Sequence, residues 1–399
     1  MDKEPLKAMS FNIILLGIVS FITDTSSDMM WPILPMFITS IGGTGLAVGL
    51  ISGLAESVAS ILKVFSGYWS DKIGRRKPLV ALGYTISSIS KLFFPFISAW
   101  PHLLLLKPLE RFGKGLRTAP RDGIIADSAA TGGRGRGFGI HRAMDTSGAI
   151  LGSILAFILF WFLGLEFKTI FLIAAAIAFL ALIPLIFVKE TKTKPKQVSL
   201  TISLKGLKTP LKLFILIATI FALGNFSYMF FILKAQETFQ PLFPEKMAKA
   251  MPILLYALFN ISYALLSIPI VTLSDKIGRR HVLATGYFLF ALTCFGFIFS
   301  HSLTSLIILF LLYGLFYAFV DGIQRAYASD LTSKKLTGTA LGAFHTSIGL
   351  AALPASLIAG FLWDIRPETT FIYGTLMGFA ASALLIINVK DKSATHGNH

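Results

Sequence analysis

The chain has 399 residues, of which 54% are hydrophobic and only 14% charged, with 36 Phe and a formal net charge of +16. A water-soluble domain carries about a quarter of its residues as Asp, Glu, Lys and Arg, so an ordinary soluble fold is excluded. The basic excess sits in short segments between apolar runs, which excludes a nucleic-acid partner and points to a lipid bilayer.

The apolar runs reach about 20 residues or more, the length that crosses a hydrocarbon core. The first covers roughly residues 10–38. No small-residue cleavage site follows its apolar stretch, and "TDTSSDMMWPILP" continues the helix, so it reads as a span and not a signal peptide. Further spans are predicted over roughly 45–68, 78–98, 101–128, 136–163 and 167–188. The basic, polar stretch "KETKTKPKQVSLTISLKGLK" then interrupts the pattern. Six more spans follow over roughly 209–236, 250–272, 282–300, 303–329, 337–363 and 368–389. The expected organisation is an all-α polytopic membrane protein of twelve transmembrane helices. Residues 1–188 form one six-helix bundle, 189–208 a cytoplasmic linker, and 209–399 a second bundle with a short tail.

The two halves repeat. "DKIGRR" stands at Asp71–Arg76 and again at Asp275–Arg280, an offset of 275 − 71 = 204. Arg121 meets Arg325 and His141 meets His345 at the same offset, and Asp127 meets Asp330 with a slip of one. Duplication of a six-span unit explains this. Six is even, so both hexapeptide loops fall on one side, and their basic character makes that side the cytoplasm.

An ionisable side chain inside a span is costly unless paired or wetted, so each is a functional candidate. Asp24 and Asp28 lie one turn apart in the outer half of the first span, and Glu56 is mid-span in the second. In the fourth, Glu110, Lys114, Arg117 and Arg121 step by four, three and four and share one helical stripe. Arg111, Thr118 and Asp122 form a second stripe. Pro120 is expected to kink or end that helix. Arg111 is expected near the midplane, with Asp24 as its opposing acid. His141 and Asp145, one turn apart, enter the fifth span. Two readings of these charges stay open, an internal ion-pair network or the lining of a wet cavity. The second is preferred, because buried pairs rarely gain net stability. In the second half the lining candidates are Asn225, Tyr228, Asn260, Tyr263, Asp321 and Gln324. Lys91 is expected to snorkel and is set aside.

"GYWSDKIGRRK" at Gly67–Lys77 resembles the loop 2–3 signature of the major facilitator superfamily, G-x-x-x-D-x-x-G-R-R-K/R. "VTLSDKIGRRH" is its second-half counterpart, with Val271 in place of the leading glycine. "LERFGKGLRTAPRDGIIADS" resembles the superfamily's arginine motif through Arg111 and Gly115. Its drug/proton antiporters carry G-x-x-x-G-P in the fifth span, where "GAILGSIL" keeps Gly148 and Gly152 but has Ser153 for the proline. The resemblance implies two six-helix bundles, a central cavity and alternating access. It implies gating roles for Gly67, Asp71, Gly74, Arg75 and Arg76, and for Asp275, Gly278, Arg279 and Arg280. It also implies a proton-coupling or substrate role for Arg111.

The expected function is a secondary transporter moving a small polar or amphiphilic, anion-bearing solute, with proton-coupled efflux preferred over proton-coupled uptake. Asp24, Asp28, His141 and Asp145 are the proton-coupling candidates. Glu56, Glu110, Arg111, Lys114, Arg117 and the second-half lining residues are the substrate-binding ones. There is no Walker-type loop, and Cys294 is the one cysteine, so neither cofactor nor metal is expected. A nucleophile–base pair is missing, which sets an enzyme aside, and a transporter-like sensor is a remote alternative. The expected partners are a small-molecule substrate, protons and the bilayer. The protein is expected as a monomer in the inner (cytoplasmic) membrane, both termini in the cytoplasm.

Overall fold

The fold is that of a computed structural model, which describes residues 11–129, 133–190, 206–332 and 336–388. Residues 191–205 of the predicted 189–208 linker, both termini and the lysine pair at 334–335 lie outside the described residues. Every element among those described is helical. A hydrocarbon environment demands this, since each backbone N–H and C=O must be satisfied within its own segment.

α1 (Phe11–Met30) stops short of Pro32, and the first span resumes as α2 (Leu34–Ser40) with a proline in its first turn. Proline disfavours helical backbone in the residue before it, which places the break at Trp31. α3 (Gly45–Ile73) and α4 (Lys77–Leu92) flank the first hexapeptide loop, and Pro78 lies in the opening turn of α4. α5 (Leu103–Ser128), α6 (Arg134–Trp161), α7 (Phe167–Leu180) and α8 (Leu182–Phe187) complete the first half.

α5 is 26 residues long, about 39 Å at ~1.5 Å per residue, enough to cross a bilayer despite its charges. Among the described residues, eleven other helices or helix pairs are long and apolar enough to span. The helix does not end at Pro120: α5 runs through both Pro108 and Pro120. Inside a membrane bundle, neighbouring helices and polar side chains hold a proline-bearing helix together. Here α4 lies flush against α5 where Gly83 and Gly113 each face the other's carbonyl, leaving no room for a Cβ on either.

The second half contains α9 (Thr209–Gly224), α10 (Met229–Phe239), α11 (Glu245–Ile277), α12 (Arg279–Ile298), α13 (Leu303–Val320), α14 (Ile323–Asp330), α15 (Thr337–Ile365) and α16 (Pro367–Asn388). Two of its spans are broken. The seventh parts between α9 and α10 at Asn225–Tyr228, and the tenth between α13 and α14 at Asp321–Gly322, where Gly322 takes φ 75°. A positive φ there suits glycine alone among common residues.

The chain forms two compact units. The first comprises Met1–Gly43 with Leu54–Leu200, the second Thr44–Gly53 with Thr201–His399. The core of the first includes Ile13, Leu16, Val19, Val80, Tyr84 and Leu185. The core of the second is aromatic: Phe221 stacks on Tyr287 at 3.9 Å and Phe231 on Tyr313 at 4.3 Å. The opening of α3 belongs to this unit. Asp364, near the end of α15, accepts from the backbone N–H groups of Gly45 (2.7 Å) and Leu46 (2.9 Å), capping the start of that helix.

Candidate functional site

In the first unit α5 carries the charges, and Trp31 at the break of the first span collects three of them. The Arg111 guanidinium lies 4.6 Å from the ring centroid, Lys114 Nζ 5.0 Å and Lys107 Nζ 5.5 Å. Cations within about 6 Å of an indole face are attracted by its quadrupole, the more so when desolvated. Two carboxylates answer them. Glu110, only 1% exposed, meets Lys107 at 2.8 Å, and Glu56 meets Arg111 at 2.9 Å. Among the described residues no carboxylate lies within ion-pair distance of Lys114. Sequence reasoning passed over Trp31 and Lys107, because no spacing rule reveals that a tryptophan beside a proline will face the next helix but three.

The predicted stripe on α5 does not act as a unit. Arg117 donates to Ser87 Oγ (2.7 Å) and lies 4.3 Å from the Tyr84 ring. Arg121 pairs with its neighbour Asp122 at 2.9 Å. Both are committed within the bundle.

Asp24 does not meet Arg111. Its carboxyl neighbours that of Asp145 on α6. Ser20 Oγ donates to Asp145 Oδ1 (2.7 Å), and Arg142 Nη1 lies 3.5 Å from its other oxygen. Asp28 is buried one turn on, and His141 is buried one turn before Asp145.

The Asp24–Asp145 contact exists because α1 and α6 touch backbone to backbone. A Cβ at Gly148 would collide with the Phe21 carbonyl, and one at Gly152 with that of Thr25. Small residues at this spacing are what allow membrane helices to approach so closely. Gly148→Leu is thus expected to push the helices apart and lower the thermal unfolding midpoint of the purified protein by several degrees. Gly139→Ala, where nothing stands near the added Cβ, is expected to leave that midpoint unchanged.

Lys91 corrects an expectation. It does not snorkel but is 1% exposed, its Nζ donating to Ser26 Oγ (2.9 Å) and Ser27 Oγ (2.8 Å). The serines of α1 supply the acceptors.

The repeated loops hold an arginine between two aspartates. In the first unit Arg76 reaches Asp71 at 3.4 Å and also pairs with Asp127 at the end of α5. In the second, Arg279 reaches Asp275 at 3.2 Å and Asp330 at 2.7 Å. Lys77 Nζ donates to the Ile186 carbonyl (2.8 Å) at the end of the sixth span, while Arg280 donates to the Leu385 carbonyl (3.2 Å) at the end of the twelfth. The structural equivalents are one position out of the sequence register: 330 − 127, 279 − 76 and 280 − 77 all equal 203. Pro78 accounts for it. Proline belongs in the first helical turn, so α4 begins at Lys77, whereas α12, with Val282 instead, begins directly after Gly278. Gly74 and Gly278 both take positive φ, at 70° and 92°. Gly67 lets α3 approach Ala119, and Arg75 is exposed. The α4 N-terminus is capped by Glu190, which accepts from the N–H groups of Arg76 (3.0 Å) and Lys77 (3.2 Å).

In the second unit the lining candidates gather at the two breaks. Asn225 and Tyr228 form the ends of the first, and Tyr228 lies 5.5 Å from Tyr256. At the other, Asp321 accepts from Tyr263 OH (2.7 Å) and lies 3.4 Å from Arg325. Gln324 donates to Tyr287 OH (2.8 Å), and Asn260 is buried beside this row on α11. Lys234, not singled out in the sequence, is buried between Glu237 (3.2 Å) and Glu368 (2.6 Å).

Two matches to the Major Facilitator Superfamily model cover residues 16–243 and 214–398. The chain belongs to the Major Facilitator Superfamily. It is 52% identical to an uncharacterised MFS-type transporter of Methanocaldococcus jannaschii, over 96% of each chain. It is 22% identical to the multidrug resistance protein MdtH of Proteus mirabilis, over 83% of this chain and 82% of that one. Among solved structures, a mutant form of the nucleoside transporter NupG superposes with a TM-score of 0.81 at 16% identity, covering 94% of this chain and 99% of that one. The MFS fold, a multi-pass membrane location and a transport function on a small molecule follow from the family.

Proposed function

We propose that this MFS transporter exports a small anion-bearing solute by alternating access in exchange for protons. The observation that carries the reading is the Trp31 cluster. Arg111 and Lys114 share one ring, and the Glu56 side chain answering Arg111 is 52% exposed. A solute carboxylate or phosphate can take the place of Glu56 on Arg111 while also reaching Lys114. In the second unit Asn225, Tyr228, Asn260, Tyr263, Asp321 and Gln324 are the substrate-binding candidates. Broken spans are where transporters of this kind hold solutes and ions. The Asp24–Asp145 pair is the proton site, with Asp28 and His141 beside it. The multidrug resistance name of one relative supports export. Residues 1–188 and 209–399 act as the two moving halves, and the protein works as a monomer in the cytoplasmic membrane, both termini inside.

Everted membrane vesicles from expressing cells test this. Respiration acidifies their lumen, monitored with acridine orange. Benzoate and benzyl phosphate are expected to discharge the gradient in expressing vesicles and not in controls, and tetraphenylphosphonium to have no effect. Discharge by the cation alone would contradict the anion reading.

The aspartate–arginine loops are proposed as latches that bias the cycle. Asp71→Asn is expected to leave expression and solute binding intact while transport falls several-fold, because Arg76 keeps Asp127 but loses one of its two holds. Asp275→Asn is expected to cost less, its carboxylate being more exposed (60% against 35%). Equal transport by wild type and Asp71→Asn would reduce the loop to a topology signal.

A further inference from the structure

The proton pair is not the only ionisable group sealed inside the first unit. Lys91 lies on α4 with its Nζ fully enclosed, and its two hydrogen bonds have a definite sense. Ser26 Oγ gives its proton to the Ala174 carbonyl (2.6 Å) and Ser27 Oγ gives its own to the Thr23 carbonyl (3.0 Å). Each hydroxyl can therefore only accept from Nζ. A neutral amine has two N–H donors, and both are met. An ammonium has three, and the third would find no acceptor. Among the described residues no carboxylate lies within ion-pair distance, and a buried charge without a partner is expensive.

The ionisable groups around it come from two helices. α1 presents Asp24, and α5 presents Lys107, Glu110 and Arg117. From α7 it is the Ala174 carbonyl that closes the pocket. Glu110 is already held by Lys107, so Asp24 is the acid able to supply a proton. We infer that Lys91 is a second proton-binding group of the transporter, held as a free amine in this conformation and poised to take the proton that Asp24 and Asp145 share. In that step a carboxyl O–H bond breaks and an Nζ–H bond forms. Two carboxylates and one ammonium result, and the summed charge of the three groups is unchanged. Because the proton comes from the Asp24–Asp145 pair, the inference rests on the proton site proposed above.

The test is NMR of the full chain in lipid nanodiscs, with lysine labelled at 15Nζ. At pH 7.5 wild type is expected to show one resonance in the amine region, lost in Lys91→Met. Wild type alone decides this point if that variant fails to fold. Lysine signals all in the ammonium region would overturn the inference. On acidification the amine resonance is expected to convert to ammonium, and in Asp24→Asn, which cannot supply the proton, its midpoint is expected to move by about one pH unit or more. An unmoved midpoint would overturn the link to Asp24. No transport is read here, so a failure of pH-driven transport elsewhere would remove the coupling reading without altering this result.

Discussion

Asp24→Asn is expected to abolish pH-driven accumulation of solute while leaving solute exchange across the membrane intact. Asparagine can still donate a hydrogen bond to Asp145, so the α1–α6 seam keeps its geometry, but no proton can be released. Each coupled proton multiplies the attainable concentration ratio by about ten per pH unit, the equivalent of ~1.4 kcal/mol. The variant should therefore reach a ratio near one where wild type reaches about ten or more. Radiolabelled solute counted at equilibrium in proteoliposomes reads this directly. Asp24→Asn vesicles that concentrate solute as wild type does would make the Asp24–Asp145 contact structural.

The second large effect separates solute binding from packing within the Trp31 cluster. Lys114→Met removes a cation that makes no direct ion pair among the described residues. Stability is expected to hold, while affinity for an anionic solute falls about tenfold or more, the weight of one charge-assisted contact of ~1.5–3 kcal/mol. Glu110→Gln does the reverse. It leaves Lys107 buried against an uncharged amide and is expected to cost about 3–5 kcal/mol of stability. Arg111→Lys keeps the charge but loses the planar fork that pairs Glu56 and stacks on Trp31, so affinity is expected to fall here too. Isothermal titration with benzoate and thermal unfolding, run on the same preparations, distinguish the two patterns. Equal losses of stability in Lys114→Met and Glu110→Gln would mean the whole cluster is an internal ion-pair network.

Much of the architecture is legible in the sequence because bilayer thickness and charge placement act on composition, which needs no partner to be known. Twelve apolar or amphiphilic runs, the 204-residue repeat and the glycines at 148 and 152 can all be read this way. What stays hidden depends on which helix faces which. Asp24 and Arg111 are at plausible depths for each other, yet Asp24 faces α6, because Gly148 and Gly152 draw α1 there. Lys91 looks like a snorkelling residue until Ser26 and Ser27 prove to be its acceptors. The break at Asn225–Tyr228 contains no proline, so only the Gly224–Asn225 pair hints at it. The one-residue slip between the loops was visible as Asp127 against Asp330, but its cause, Pro78, shows only when both helix starts are known.

The most direct test of proton-coupled anion transport is the steady accumulation ratio of labelled benzoate in proteoliposomes as a function of an imposed pH difference. The logarithm of the ratio is expected to rise linearly with that difference in protein-containing vesicles, beyond the passive partition of benzoic acid in empty ones. The excess is expected to vanish on adding a protonophore and in Asp24→Asn. A ratio equal to that of empty vesicles at every pH difference, for benzoate and benzyl phosphate alike, would contradict the account.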